Sequence, residues 1–227
     1  NIFVDLDDTI WDFRTNSKIA LEIIYDRYGL SEYYPLFDEY YRVYSEKNTE
    51  LWSLYHHNRI SKETLIVERF RYPLQRVGAY NDKLVLQLNA DYLSVLSEQG
   101  ELVPQARELL DYLKSRSYRL HIISNGFKEV QFKKMKSAGI ENYFEKIILS
   151  DEVGVNKPHP DIFRYALNKT GSSKNTSLMI GDNYDADILG AMRSGLDQVY
   201  FNPLQKQIPD EFPTYEVQTL SEICDIL

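Results

Sequence analysis

Residues 2–10 read IFVDLDDTI, an apolar run closed by the carboxylates Asp5, Asp7 and Asp8. A short, uninterrupted apolar segment rich in β-branched and aromatic side chains reads as a strand buried on both faces. A single Asp behind such a strand is ordinarily a turn or N-cap residue. Three within residues 5–8 concentrate negative charge where only a counter-charge makes sense of them.

From Ser17 to about Ser97 the spacing of apolar residues is helical. Ala20, Ile23, Ile24 and Tyr28 are expected on one face, and Phe37 to Leu54, Lys62 to Val77 and Lys83 to Leu96 repeat the pattern. No strand is expected there. From Pro104 onward helices alternate with short β-rich runs: YRLHIIS, KIILS, SLMIG and QVYFN. That is a βαβ series, which requires a parallel sheet with right-handed crossovers. The first strand has no strand neighbour in sequence for over a hundred residues, so it joins the later sheet. The expectation is an α/β, Rossmann-like core at 1–15 and 98–227, interrupted by an inserted helical cap domain at 16–97.

In an open parallel sheet, ligands bind outside the carboxyl ends of the strands. Asp5 and Asp7 follow the first strand, Ser124 and Asn125 follow LHIIS, and Asp182 follows SLMIG. Lys157, in GVNKPHP after KIILS, approaches the same edge. Carboxylates, a hydroxyl and an ammonium gathered there suit a hard cation and an anionic group.

Composition narrows the partners. A net charge of −8 sets the chain against a nucleic-acid backbone or an anionic membrane surface. Its one cysteine, Cys224, excludes an intramolecular disulfide, and no stretch of about 18 apolar residues is present. The cytoplasm is therefore the expected compartment, and a small molecule the expected partner.

The ordered set DLDDT, SNG, KP and GDNYDAD, each part behind an apolar β run, resembles the haloacid dehalogenase-like (HAD) hydrolase superfamily. Its signature is D-x-D-x-T, a Ser/Thr after a hydrophobic run, a Lys, and G-D-x(3-4)-D. The helical insertion is similar to the family's C1-type cap. The flanking strings DLDDTIWDF, VGVNKPHPDIF and GDNYDADILGA are similar to the branch with pyrimidine nucleoside 5′-monophosphate phosphatases.

The resemblance implies a Mg2+-dependent phosphomonoester hydrolase with Asp5 as nucleophile and Asp7 as general acid/base. It implies Mg2+ on the Asp5 carboxylate, the Asp7 backbone carbonyl and Asp182, with Asp187 at the metal through water or orienting Lys157. Ser124, Lys157 and backbone N–H groups around Asn125 and Gly126 would bind the phosphoryl oxygens. Asp185 is expected to cap the helix it precedes, Thr9 to stabilise the turn after the first motif, and Asp8 to be a turn residue. Other leaving groups remain open: a sugar phosphate, phosphoglycolate, or the substrate of a β-phosphoglucomutase-like mutase. A C–halogen hydrolase is disfavoured because that branch lacks the second aspartate that Asp7 supplies.

Outside the motifs the expectations are structural. Lys133, Lys134 and Lys136 read as a solvated helix face. His56 and His57, adjacent on a helix, point about 100° apart and make a poor metal pair. His121 reads as a packed strand histidine and Cys224 as a small buried hydrophobe. Eleven of the 18 tyrosines lie between Tyr25 and Tyr92 and are expected mostly to pack the helices.

Overall fold

A computed structural model describes residues 1–208 and 211–227. The chain divides into two compact units, Asn1–Phe13 with Gly100–Leu227, and Arg14–Gln99.

The first unit is a six-stranded parallel sheet made of β1 Ile2–Val4, β2 Leu120–Ser124, β3 Phe144–Leu149, β4 Leu178–Gly181, β5 Asp197–Phe201 and β6 Tyr215–Val217. Their spatial order is β3-β2-β1-β4-β5-β6. β1 is central, pairing Ile2 with Leu120 on one side and with Leu178 on the other. Its three residues are buried, as a strand covered on both faces demands. β6 escapes the sequence reading because it is three residues long, with two of them exposed.

Five helices follow from simple local rules. In α5, here Ala106–Ser115, the buried residues Ala106, Leu109, Leu110 and Leu113 make one stripe. α6, Lys128–Ser137, leads from β2 towards β3, and α7, Ser150–Val153, follows β3. α8, Pro160–Thr170, begins with proline at its first turn and stops at Gly171, whose φ of 63° suits glycine. A π-helical turn, Tyr184–Leu189, runs into α9, Gly190–Arg193. Phe3, Ile123, Ile148, Ile162, Phe163 and Met179 pack between the sheet and its helices, all 0% exposed. The short helix Ile223–Ile226 carries Cys224, which is half-buried and so departs from the expectation of a buried residue.

The second unit is helical: α1 Phe13–Arg27 (which starts in the first unit), α2 Phe37–His56, α3 Lys62–Arg76 and α4 Asp82–Ser97. Ser61 and Asn81 accept hydrogen bonds from Thr64 N and Leu84 N, starting the last two helices as N-caps. In the helix Phe13–Arg27, the buried stripe is Asn16, Ser17, Ala20, Leu21, Ile24 and Tyr25. Ile23 is 39% exposed. The polar start of the stripe shifts the packed face by one position and leaves Ile23 outside it. Tyr40, Tyr44, Phe70 and Tyr92 form the centre, with Tyr44 5.1 Å from Phe70 and 5.8 Å from Tyr92 between ring centroids.

Candidate active site

The strand order reverses direction between β1 and β4, and a doubly wound sheet opens its crevice at that switch. Asp5 stands just beyond β1, its N–H donating to Ile180 O at 2.9 Å. Asp182 stands just beyond β4. One strand end thus supplies each wall of the crevice.

Lys157 arrives from the loop between α7 and α8 and is 2% exposed. Its ammonium donates to Asp5 Oδ1 at 2.5 Å, Asp187 Oδ1 at 2.6 Å and Ile123 O at 2.7 Å, so all three N–H groups are used. The backbone of Lys157 is held by one side chain. Asn125 Oδ1 accepts from Lys157 N at 2.8 Å and Asn125 Nδ2 donates to Lys157 O at 2.9 Å. The Asn125 amide therefore acts on the lysine loop, a use that its motif position did not reveal.

Asp187 is 1% exposed, and its Oδ2 accepts from Asn183 N at 3.1 Å. A Cβ at Gly181 would overlap the Asp187 carboxylate, which is why glycine precedes Asp182. Thr9 is fully buried and joins the first motif to the fourth. Its Oγ1 donates to Asp182 Oδ1 at 3.2 Å and accepts from Asp182 N at 3.1 Å. That corrects its expected role in the turn after its own strand. Asp185 does not cap the following helix; Asn183 does, accepting from Ala186 N at 3.0 Å. Asp8 is in a turn as expected, with φ of 59° and its N–H donating to Trp11 O at 2.8 Å.

Carboxylate oxygens of Asp5, Asp182 and Asp187 lie within 4.8 Å of one another. Burial pushes the Asp5 carboxyl up to about 7; Lys157 pulls it down, while Asp187 and Asp7 add to the rise. Burial likewise drives Asp182 well above the usual carboxylate range, with Asp5, Asp187 and Asp8 adding to it. Burial alone would lower the Lys157 ammonium, but Asp187 and Asp5 outweigh it and hold it above its ordinary value. One ammonium cannot neutralise three crowded carboxylates. The set is all oxygen and carries excess negative charge, so it fits a hard divalent cation.

Asp7 has a different setting. Its Oδ2 accepts from Gln131 Nε2 at 2.9 Å and its Oδ1 from Lys134 Nζ at 2.8 Å. Gln131 Nε2 also donates to Ser124 Oγ at 2.7 Å, and Gly126 N donates to the same hydroxyl at 3.0 Å. Gln131 and Lys134 are three apart on α6 and face the sheet together. Lys134 is 3% exposed, its ammonium 4.4 Å from the Trp11 ring centre and 5.4 Å from that of Phe13. The expectation of a solvated lysine face therefore holds for Lys133 and Lys136 and fails for Lys134. Nothing in KKMK distinguishes the three; only a fold that turns one toward Asp7 does.

The residues 1–195 match the family model of the haloacid dehalogenase-like hydrolases. The chain belongs to that family. It is 29% identical over 228 residues to the HAD-hydrolase YfnB of Bacillus subtilis, covering 100% of this chain and 94% of that protein. The crystal structure of YfnB bound to magnesium superposes with a TM-score of 0.90 at 29% identity, covering 99% of this chain and 96% of that one. The pyrimidine 5′-nucleotidase PynA of Streptococcus pneumoniae is 30% identical over 229 residues, 100% of this chain and 94% of PynA. A glyceraldehyde 3-phosphate phosphatase of Methanothermobacter thermautotrophicus is 32% identical over 209 residues, 88% of this chain and 84% of that protein.

Proposed function

We propose that this HAD-family phosphatase hydrolyses pyrimidine nucleoside 5′-monophosphates in the cytoplasm, carrying the phosphoryl group on Asp5. The supporting observation is the carboxylate triad, with Lys157 seated on its two buried members, at the switch point of a parallel sheet. Asp5 attacks phosphorus in line: a carboxylate oxygen bonds to phosphorus, the bond to the ester oxygen breaks, and Asp7 protonates that departing oxygen. Water then attacks the same phosphorus while Asp7 takes its proton. The bond from Asp5 to phosphorus breaks, and inorganic phosphate leaves.

Two acceptor bonds to Ser124 Oγ leave its hydrogen to donate to a phosphoryl oxygen, alongside the backbone N–H of Asn125, while Lys157, its donors held by Asp5, Asp187 and Ile123 O, contributes its positive charge beside them. The Asp5 and Asp182 carboxylates and the Asp7 backbone carbonyl would hold Mg2+, with Asp187 behind them positioning Lys157. Bound there, Mg2+ would supply the positive charge that keeps Asp5 ionised and shields the phosphoryl oxygens. The magnesium in the YfnB structure supports the choice of ion.

Residues 16–97 serve as the cap that selects the leaving group, and the nucleotidase relative supports a pyrimidine there. The test is a panel of phosphomonoesters with Mg2+: dUMP, dTMP, CMP, ribose 5-phosphate, glyceraldehyde 3-phosphate and phosphoglycolate. The pyrimidine nucleotides should lead in kcat/KM. Any of the other three esters exceeding every nucleotide tenfold overturns the pyrimidine reading and leaves the Asp5 chemistry intact.

A further inference from the structure

One amide serves two groups of the site at once. Gln131, in the first turn of α6, is 0% exposed, and its Nε2 donates to Asp7 Oδ2 at 2.9 Å and to Ser124 Oγ at 2.7 Å. That nitrogen has two hydrogens, so both are spent on the site. The other end of the amide gains nothing: Oε1 is buried without a hydrogen-bond partner among the described residues. A glutamine kept for packing would satisfy both ends, because an unmet buried acceptor is costly. Turning the amide over would bring no relief, since Oε1 would then face the Asp7 carboxylate, acceptor against acceptor. Asp7 and Ser124 therefore set its orientation, and Gln131 bears the unmet oxygen.

The backbone makes room for this arrangement. A Cβ at Gly126 would fall on the Gln131 amide, so glycine at that position lets α6 bring the amide against the end of β2. Gly126 N also donates to Ser124 Oγ, at 3.0 Å. A hydroxyl accepts at two positions and has one hydrogen to give. With Gln131 and Gly126 filling the first two, the direction of that hydrogen is fixed. Asp7 is held at both oxygens, Oδ2 by Gln131 and Oδ1 by Lys134 Nζ.

We propose that Gln131 is a positioning residue for phosphoryl transfer: its amide aims the Ser124 hydrogen at a phosphoryl oxygen and holds the Asp7 carboxyl where it exchanges a proton with the ester oxygen and then with water. This rests on the phosphatase reading above and is independent of the leaving group. Gln131 acts through the two side chains it holds.

Gln131→Met keeps the side-chain length and removes both donors together with the unmet oxygen, so the thermal midpoint should hold. On the Mg2+-loaded protein it should weaken the binding of inorganic phosphate roughly tenfold, as loss of an aimed hydrogen bond to an anion does. Its kcat should fall roughly tenfold on the best alkyl ester of the panel and about threefold or less on p-nitrophenyl phosphate, whose leaving group needs no proton. In a Ser124→Ala background the same substitution should change phosphate affinity less than about twofold, because the hydroxyl it aims is gone. Gln131→Glu, of the same shape, offers an acceptor to the Ser124 hydrogen and should weaken phosphate binding further than Gln131→Met does. A lowered midpoint with unchanged phosphate affinity makes Gln131 a packing residue and overturns the proposal. So does an equal loss of affinity with and without the Ser124 hydroxyl. If Gln131→Met does not fold, Gln131→Glu decides, and wild-type phosphate affinity in it overturns the proposal. Full turnover in Asp5→Asn would remove the phosphatase reading and this role together, whereas an inert Asp5→Asn beside Gln131 variants of wild-type affinity removes the role of Gln131 alone.

Discussion

Asp5 and Asp7 are two residues apart and live in opposite electrostatic settings. Asp5 faces one ammonium shared with Asp187, amid burial and other carboxylates. Asp7, with its side chain 27% exposed, has both oxygens occupied by α6 donors. That division suits a nucleophile and an acid/base. Asp5→Asn removes the covalent route and should lower kcat by three or more orders of magnitude. Lys134→Met tests the orienting of Asp7. General acid catalysis is worth about 10²–10⁴-fold, so loosening Asp7 should cost roughly tenfold to a hundredfold on alkyl phosphates. On p-nitrophenyl phosphate, whose leaving group needs no proton, the loss should be much smaller, and Lys134→Arg should restore most of the difference. The same fractional loss on both esters would mean that Lys134 supports the fold and does not orient Asp7.

At the scale of elements, β2 hides a pH-sensitive group near its start, three residues before Ser124. His121 is 0% exposed, its ring 5.3 Å from that of Phe3, and its Nδ1 has no partner. Burial lowers its pKa to about 4, against an opposing pull from Glu145. The native state thus refuses a proton that the unfolded chain accepts below about 6.5. This contribution to stability is whole above pH 6.5 and is lost as the pH falls from 6.5 to 4. Allowing for screening, its size is on the order of 2 kcal/mol. Between pH 7 and pH 4.5 the urea midpoint of wild type should fall more than that of His121→Leu. Parallel loss in the two proteins would show that His121 is not the titrating group. The strands themselves were readable: LHIIS, KIILS, SLMIG and QVYFN each became one, because a buried parallel strand is a local apolar run. The Lys134 contact was not readable, since the helical period places it without saying what it faces.

For the whole molecule, the triad predicts a linkage between metal and stability. EDTA should abolish turnover and Mg2+ should restore it. Ca2+ should bind without supporting turnover, its looser coordination spoiling in-line geometry. Saturating Mg2+ should also raise the thermal midpoint, by about 2.7 kcal/mol of added stability at a hundred times Kd. Asp182→Asn should weaken this shift more than Asp185→Asn. Activity unaffected by exhaustive chelation would remove the cation from the mechanism.

The sequence by itself determined the class of fold and the row of residues at the strand ends: Asp5, Asp7, Ser124, Lys157, Asp182 and Asp187. Strand periodicity and motif order are short-range, and the carboxyl-end rule turns them into a place. Tertiary structure alone decided which of those residues touch. Thr9 meets Asp182 across 173 positions, Asn125 grips the Lys157 backbone across 32, and Lys134 reaches Asp7 across 127. In the helical unit, Arg69 and Asn89 pair across 20 positions and leave a buried charge that composition hides. Contacts at such separations depend on how the elements pack, and no periodicity within a single element encodes them.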